Sequence, residues 1–391
     1  MIFLKDRIYK IVIKVGSSSI ADENGINVGK MNKIVEQVTE LKFKRKKDII
    51  IVSSGAIAAG KSELGYRYKP YSVSEKQACA AVGQGVLISK YRDLFAVKNI
   101  KVAQILLTAD DFSNRQRYLN AYNTMNALLE NDVVPIVNEN DTVTTDEIKL
   151  GDNDVLSAQV ASLLEADLLI ILSDIPGLLK NLGNPKSLIN IVEEVTPELE
   201  NLANGKSGKL GTGGMSSKLK AAKISNASGI PLTILPSYEE GIITKAVDNI
   251  ENTKFNIGTT FLPKDKKMSK RKRWIQFSLK PKGELIVDNG AREALLKGKS
   301  LLAVGIVSLT GNFSIGDLVI VSNKKGENIG RGLVNYSSKE LKEIIGKKTN
   351  EILTFKDNVG PEEVIHRDNL VIMEATEGFE PSNNGFADRR L

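Results

Sequence analysis

The residues best suited to chemistry lie in a glycine-rich stretch, GTGGMSSK, which runs from Gly211 to Lys218 and leads directly into the helical pattern LKAAKISNA. Glycine allows backbone N–H groups to approach phosphate oxygens closely, and the N-terminus of a helix adds a partial positive charge. Lys218 is expected about one turn into this helix, where its ammonium group can reach a phosphoryl group in transfer. A flexible surface turn is the alternative interpretation of these glycines.

Polar and charged residues also cluster in loops that follow other strand-like segments. KVGSSS supplies Lys14 and three hydroxyl groups, and SSGAIAAG supplies Ser54. The loop 138–154 and the segment SDIPGL at 173–178 supply acids and amides. Each loop alone is weak evidence, but together they indicate one site at one edge of a sheet. The polar side chains in the last two segments include Asn138, Asn140, Asp141, Asp152, Asn153, Asp154 and Asp174.

Histidine and cysteine are almost absent from the sequence, which narrows the possible reaction classes. His366 is the only histidine and Cys79 the only cysteine. A Ser-His-Asp triad and a multi-histidine metal site are therefore disfavoured, and an intramolecular disulfide is excluded. Phosphoryl transfer depends mainly on positioning and charge neutralisation, which lysines, hydroxyls and backbone amides can supply. The sequence favours this reaction class and predicts no metal site built from protein side chains.

The elements that must position these loops alternate between strand-like and helix-like patterns over residues 1–260. Continuous apolar strands separated by helices indicate an α/β fold with a mostly parallel sheet, covered by helices on both faces as a three-layer α/β/α sandwich. Ligands of such sheets bind beyond the carboxyl ends of the strands, so the loops after Val15, Ser53, Val137 and Leu172 should share one crevice. The predicted strands are 9–16, 48–55, 101–108, 133–140, 168–174 and 230–236.

From about residue 274 the pattern changes to short strands, Gly/Asn turns and one short helix, which predicts a small β-barrel-like domain. Residues 374–391 contain few apolar side chains and are expected to form a loose tail. The predicted organisation is therefore a first domain over 1–262, a basic linker over 263–273, a second domain over 274–373 and the tail.

A basic run, KDKKMSKRKR at 264–273, contains seven basic residues and one acidic residue. A solvated linker is the favoured interpretation, and a nucleic-acid-binding patch is the alternative. The remainder of 261–391 has sixteen basic and sixteen acidic residues. An RNA-binding protein that acts through its C-terminal module is therefore the less favoured hypothesis.

A second alternative arises from Gly55–Ser62, which satisfies the G-x-x-x-x-G-K-S pattern of P-loop NTPases and follows a predicted strand. Its middle residues, Ala-Ile-Ala-Ala, are mostly good helix formers. They are expected to begin a helix at Gly55 instead of forming an open phosphate-binding loop. Lys61 would then lie on the outer side of that helix, so the P-loop interpretation is disfavoured.

The chain contains the strings IVSSGAIAAG, AVGQG, LLTADDF, VNENDTV, KLGDND, GTGGMSSKLKAA, RKRWI and SLTGNFSIGD, in this order. With these strings it resembles the glutamate 5-kinases, a branch of the amino-acid kinase family, over about residues 1–373. The resemblance implies the amino-acid kinase fold followed by a PUA domain. It also implies transfer of the γ-phosphate of ATP, with Mg²⁺, to the side-chain carboxylate of L-glutamate at the start of proline biosynthesis.

The resemblance also implies roles for individual residues. Lys14 and Lys218 would be catalytic, and Asp154 would orient both of them. Leu179 replaces a tyrosine that is common in the family, which leaves packing on the adenine side open. The implied substrate-binding residues are Ser54, Asp141 and Asn153, and the implied nucleotide-binding residues are Lys14, Ser173, Asp174, Thr212, Gly213, Gly214, Met215, Ser216, Ser217 and Lys218.

The expected location is the cytoplasm. No apolar run is long enough to span a membrane, and Lys5, Asp6 and Arg7 interrupt the N-terminal segment. The resemblance further implies a homo-oligomer and feedback inhibition by proline.

Overall fold

The apolar runs of the first 260 residues form strands, and the segments between them form helices. The computed structural model describes residues 8–68, 70, 72–143, 153–181, 184–204, 213–263, 268–347 and 361–373. Two compact units, Met1–Ser278 and Leu279–Leu391, make up the chain. The strands of the first unit are β1 (Lys10–Val15), β2 (Ala21–Asp22), β3 (Gly25–Ile26), β4 (Asp48–Ser53), β5 (Val102–Leu107), β6 (Val134–Glu139), β7 (Leu168–Ser173), β8 (Ile191–Val192), β9 (Leu232–Pro236) and β10 (Thr259–Phe261).

Most strands of the first unit are separated by helices, as the alternating sequence pattern predicts. A short 3-10 helix, Pro185–Ser187, precedes β8. The α-helices are α1 (Ser17–Ile20), α2 (Val28–Phe43), α3 (Ala56–Glu63), α4 (Val73–Ala96), α5 (Ala109–Ser113), α6 (Arg115–Glu130), α7 (Asn153–Leu164), α8 (Pro197–Asn204), α9 (Gly213–Ala227), α10 (Ile242–Glu251) and α11 (Lys270–Phe277).

Among the described residues, eight strands form one sheet in the order β5-β6-β4-β1-β7-β9-β10-β8. The pairs from β5 through β9 are parallel, whereas β10 is antiparallel to β9 and parallel to β8. The predicted mostly parallel sheet is therefore confirmed. The sequence patterns did not predict β8 and β10, because strands of two and three residues leave no apolar run long enough to detect.

Side chains on the two faces of the central strands pack against two separate layers of helices. Ile11 and Ile13 of β1 are packed in a core with α2, α4 and α10. Val12, on the opposite face of the same strand, is packed in a second core with α6, α7 and α9. Because side chains alternate along a strand, Lys14 lies on the face of Val12, which is the face covered by α7 and α9. This arrangement is the predicted three-layer sandwich.

The second unit has its own apolar core and smaller sheets. A five-stranded sheet runs in the order β13-β11-β14-β15-β17, with β11 and β14 parallel and the other pairs antiparallel, and β12 pairs with β16. Its elements are β11 (Gly283–Val287), α12 (Asn289–Leu296), β12 (Leu301–Leu302), β13 (Ile306–Gly311), β14 (Leu318–Asn323), β15 (Asn328–Leu333), α13 (Ser338–Ile344), β16 (Glu363–Ile365) and β17 (Leu370–Ile372), with 3-10 helices at Ala303–Gly305 and Arg367–Asn369.

Part of the predicted linker is helical. Residues 264–267 and the tail 374–391 lie outside the described residues, and the predicted domain bounds remain predictions. Lys270–Phe277, however, forms α11, with the Ser269 side chain accepting a hydrogen bond from the backbone N–H of Lys272. The predicted linker 263–273 thus ends in a helix in which Lys270 and Arg271 are exposed but Arg273 is buried. A count of charges does not register that Trp274 and Ile275 give this segment an apolar side.

Candidate active site

The loops that the sequence singled out meet at the carboxyl edge of the sheet. Val15 pairs with Ser53 on one side and with Leu172 on the other. Strand β6, which pairs with β4 at Val137, ends two residues later. The segments that follow these strands therefore leave the sheet at the same edge, as predicted.

A single buried carboxylate lies between two ammonium groups at this edge. The Lys14 Nζ is 2.6 Å from Asp154 Oδ1, and the Lys218 Nζ is 3.0 Å from Asp154 Oδ2. The exposed fractions are 8% for Lys14, 7% for Lys218 and 4% for Asp154. Cationic side chains from two distant segments thus converge on one carboxylate.

Each of these three residues is placed by the end of a regular element. Lys14 is the penultimate residue of β1, Asp154 is the second residue of α7, and Lys218 is the sixth residue of α9. Helices α7 and α9 lie side by side on the sheet face to which Lys14 points. Two helix N-termini therefore approach the end of β1, where their partial positive charges add to those of the lysines.

The charge of this cluster favours an anionic ligand. Burial raises the pKa of Asp154, but the nearby Lys14 and Lys218 charges and hydrogen bonds from Lys14 and Ser217 lower it further, so the net pKa lies below the ordinary value. The carboxylate is therefore ionised at neutral pH. Two ammonium groups against one carboxylate leave a formal charge of +1, which suits the approach of phosphate oxygens.

Residues 213–218 of the glycine-rich stretch form the start of α9. Gly213 is its first residue, so the helix begins where the sequence predicted its entrance. The Lys218 ammonium donates to the carbonyl oxygen of Gly214 at 3.2 Å, which ties the lysine to its own first turn. The Ser217 hydroxyl donates to Asp154 Oδ2 at 2.8 Å. Gly214, Met215 and Ser216 share this turn, whereas the predicted residue Thr212 lies outside the described residues.

Two of the three predicted substrate residues, Ser54 and Asn153, are joined by a hydrogen bond, and Asn153 directly precedes Asp154 in α7. The Asn153 Nδ2 donates to Ser54 Oγ at 2.9 Å and to Asn138 Oδ1 at 3.0 Å. Asn138 also accepts from the backbone N–H of Glu139. Asn138 belongs to the polar loop that the sequence singled out, but the sequence indicated no specific role for it. Its position just before the end of a central strand was the available signal.

Asp141 is a buried carboxylate near the same strand end. Its exposed fraction is 6%, and burial raises its pKa from 3.8 to about 6. Within the described part of the chain, its Oδ1 is buried and has no hydrogen-bond partner. An unpaired buried carboxylate oxygen is costly unless a cation or a donor arrives with a ligand.

Ser173 and Asp174 lie at the end of β7, on the same sheet edge. The Ser173 hydroxyl donates to Asp174 Oδ1 at 3.1 Å. The backbone carbonyl of Ser173 accepts a hydrogen bond from the backbone N–H of Ser237, just after β9. Ser173 is buried, whereas Asp174 is exposed. Asp152, from the acid-rich loop, lies outside the described residues.

The segment that matches the P-loop pattern forms no phosphate-binding loop. Gly55 adopts φ +107° and precedes α3, so residues 56–63 are helical. A Cβ on Gly60 would lie 1.8 Å from the carbonyl oxygen of Cys79, and one on Gly83 would lie 1.8 Å from that of Ala56. These glycines allow α3 and α4 to pack closely. The second glycine of the pattern thus has a packing role.

Neither a metal cage nor a membrane-spanning helix occurs in the described ranges. No group of three or more His, Cys, Asp or Glu side chains in them could hold a metal ion. Nor does any helix among the described residues combine the length and apolarity needed to cross a bilayer.

Residues 10–236 match the family described as the amino acid kinase family. The chain belongs to this family. Lys14, Asp154 and Lys218 all lie within these matched residues. Residues 283–355 match the PUA domain, which agrees with the separate second unit.

Relatives within the amino acid kinase family carry the name glutamate 5-kinase. The relative from Thermoanaerobacter sp. (strain X514) is 47% identical over 375 residues, which cover 95% of this chain and 99% of that protein. The relative from Caldanaerobacter subterraneus subsp. tengcongensis is 46% identical over 375 residues, with the same coverage. The relative from Geobacter sulfurreducens is 44% identical over 374 residues, covering 94% of this chain and 98% of its own.

Proposed function

We propose that this chain transfers the γ-phosphate of ATP to the side-chain carboxylate of L-glutamate, which yields L-glutamyl 5-phosphate and ADP. One carboxylate oxygen of glutamate forms a bond to the γ-phosphorus, and the bond from that phosphorus to the β,γ-bridging oxygen breaks. The observation that carries the proposal is the bridging of Lys14 and Lys218 by Asp154 at the carboxyl edge of the sheet. The similarity to glutamate 5-kinases supports the choice of substrate, and the reaction would start proline biosynthesis.

The proposed reaction needs no general base. A glutamate side chain has a reference pKa of ~4.3, so at neutral pH it is already an anionic nucleophile. The difficulty is electrostatic, because two like charges 4 Å apart repel by ~4 kcal/mol at an effective dielectric constant of 20. Lys14, Lys218 and the backbone N–H groups at the start of α9 would offset this repulsion and stabilise charge on the transferring group.

The remaining predicted site residues have matching chemical roles in this proposal. Asp141 would bind the substrate ammonium group, which supplies the cation that its buried oxygen lacks among the described residues. Ser54 and Asn153 would hydrogen-bond the carboxylates of glutamate. The nucleotide would lie against Ser173 and Asp174 and against the segment from Thr212 to Lys218.

We also propose that Mg²⁺ accompanies ATP and neutralises charge on its phosphates when bound. Both Asp154 oxygens already have cationic or hydroxyl partners, and no cage of three ligands occurs among the described residues. This donor set suits an ion held mainly by phosphate oxygens and water. A homo-oligomer, feedback inhibition by proline and a cytoplasmic location are further proposals, supported by the relationship to the glutamate 5-kinases.

An ADP-release assay with Mg²⁺-ATP tests the proposed function. The acceptor panel is glutamate, acetylglutamate, aspartate and carbamate, and we expect turnover with free glutamate. Lys218→Ala should lower kcat by orders of magnitude with little change in the glutamate KM. Lys61→Ala, in the helix that resembles a P-loop, should have a mild effect. Turnover with another acceptor and none with glutamate contradicts the proposal.

A further inference from the structure

The Ser217 hydroxyl, which the family resemblance assigns to nucleotide binding, already has hydrogen-bond partners within the protein. This hydroxyl donates to Asp154 Oδ2 at 2.8 Å, and the Gly214 carbonyl oxygen lies 3.1 Å away as a second acceptor. Asp154 Oδ2 is also the oxygen that binds the Lys218 ammonium. Serine and lysine, adjacent in α9, therefore bind the same carboxylate oxygen.

A hydroxyl group has one proton to donate, and this decides between two roles for Ser217. The phosphate oxygens of ATP accept hydrogen bonds, so Ser217 could bind them as a donor only by releasing Asp154. Asp154 is an ionised, buried carboxylate, and a hydrogen bond to such a group is stronger than one between neutral partners. Release would also leave Asp154 with fewer donors in a buried environment, which is costly.

Fixing Asp154 has a direct consequence for both lysines. Lysine side chains have flexible stems, so the positions of the two ammonium groups depend on the carboxylate between them. Transition-state stabilisation requires those charges to be preorganised, and small displacements lower the rate more than they lower ground-state binding. A donor that prevents rotation of the Asp154 carboxylate would therefore act on kcat.

We propose that Ser217 is a positioning residue that holds the Asp154 carboxylate, and through it Lys14 and Lys218, instead of a ligand of the ATP phosphates. This inference rests on the proposed phosphoryl transfer. The family resemblance implies that Ser217 binds the nucleotide. In the role proposed here, its hydroxyl instead binds Asp154, the carboxylate that orients the two lysines.

Steady-state kinetics of full-length variants distinguish the two roles. Ser217→Ala should lower kcat roughly tenfold, the effect of one hydrogen bond to a charged group, with the ATP and glutamate KM values within about twofold. Ser217→Thr keeps the hydroxyl and should restore most of kcat. The matched control is Ser225→Ala in the same helix, where the Ser225 hydroxyl is fully buried and donates to the carbonyl oxygen of Ile230 at 3.0 Å. It should lower Tm without changing kcat.

Three results separate the hypotheses. A raised ATP KM with unchanged kcat in Ser217→Ala overturns the inference in favour of phosphate binding. An unchanged kcat and unchanged KM values also overturn it. Absence of glutamate-dependent ADP release in the unmodified protein is a different failure, because it removes the proposed function itself.

Discussion

Asp141, a proposed substrate-binding residue, shows how a buried carboxylate can oppose folding. The carboxylate is buried, and burial raises its pKa from 3.8 to about 6. A group that holds its proton more tightly when folded makes the ionised protein less stable. This cost is absent below pH 3.8, grows as pH rises to about 6 and is complete above that value. It corresponds to at most about 3 kcal/mol.

Asp141→Asn should therefore stabilise the ligand-free protein at neutral pH and have little effect at acidic pH, because asparagine does not ionise. Its glutamate KM should rise, since the amide cannot pair with the substrate ammonium group. Denaturant unfolding at several pH values and steady-state kinetics measure the two effects. Asp93→Asn, at an exposed position, is the control and should change neither. A stabilised variant with unchanged glutamate KM would remove Asp141 from the substrate site.

At the scale of elements, α11 joins the far ends of the two helices that carry Asp154 and Lys218. The Arg273 guanidinium donates to the carbonyl oxygen of Ser228, just after α9, at 3.4 Å. It also pairs with Glu165, just after α7, at 3.5 Å. Glu165 has φ +51°, a conformation that favours glycine, and it also pairs with Lys270. Glutamate rather than glycine occupies this position because its carboxylate pairs with Lys270 and Arg273 of α11.

Arg273→Ala should lower the free energy of unfolding by about 2–3 kcal/mol, because it removes a buried charge that pairs with Glu165 and satisfies backbone carbonyls. Arg271→Ala is the matched control, since Arg271 is an exposed arginine of the same helix. It should change stability by less than about 0.5 kcal/mol. Equal effects of the two substitutions in urea unfolding would show that α11 does not join the helices through Arg273.

The close packing of α3 on α4 depends on a glycine at position 83. Gly83→Ala should destabilise the protein by about 3 kcal/mol or more, because its Cβ would overlap the carbonyl oxygen of Ala56. Gly85, two residues along the same helix, has open space around its Cβ position. Gly85→Ala should therefore stabilise by up to about 1 kcal/mol. Thermal unfolding of both variants measures the contrast, and similar Tm values would contradict this packing.

For the whole molecule, all described site residues belong to the first unit, which ends at Ser278 and includes α11. A chain truncated after Ser278 should retain glutamate-dependent ADP release. A chain truncated after Pro263 loses α11, including the Trp274 indole N–H that donates to the Phe112 carbonyl oxygen at 2.8 Å. It should unfold at a lower temperature. Loss of activity in the longer truncation, with retained folding by circular dichroism, would assign a catalytic contribution to the second unit.

Much of the molecule could be predicted from local patterns. The central strands are continuous apolar runs, and Lys14, Ser54 and Asp174 lie at or just beyond their carboxyl ends, so the sheet edge and its polar loops could be located. Glycines before a helical pattern likewise indicated the start of α9. The short strands β8 and β10, and the buried side of α11, were missed because their signals are brief or are dominated by charged neighbours.

Sequence patterns alone sufficed for the mostly parallel sheet, the positions of its main strands along the chain and the segments that carry candidate site residues, since apolar runs and turn residues are local properties. They could not establish that Ser217 donates to Asp154, that Gly83 fits against Ala56 or that Arg273 is buried. Each of these depends on contacts between segments distant in the chain, where the identity of a residue does not reveal its neighbour. Folding brings those segments together and thereby sets the hydrogen bonds, the burial and the pKa shifts of the site.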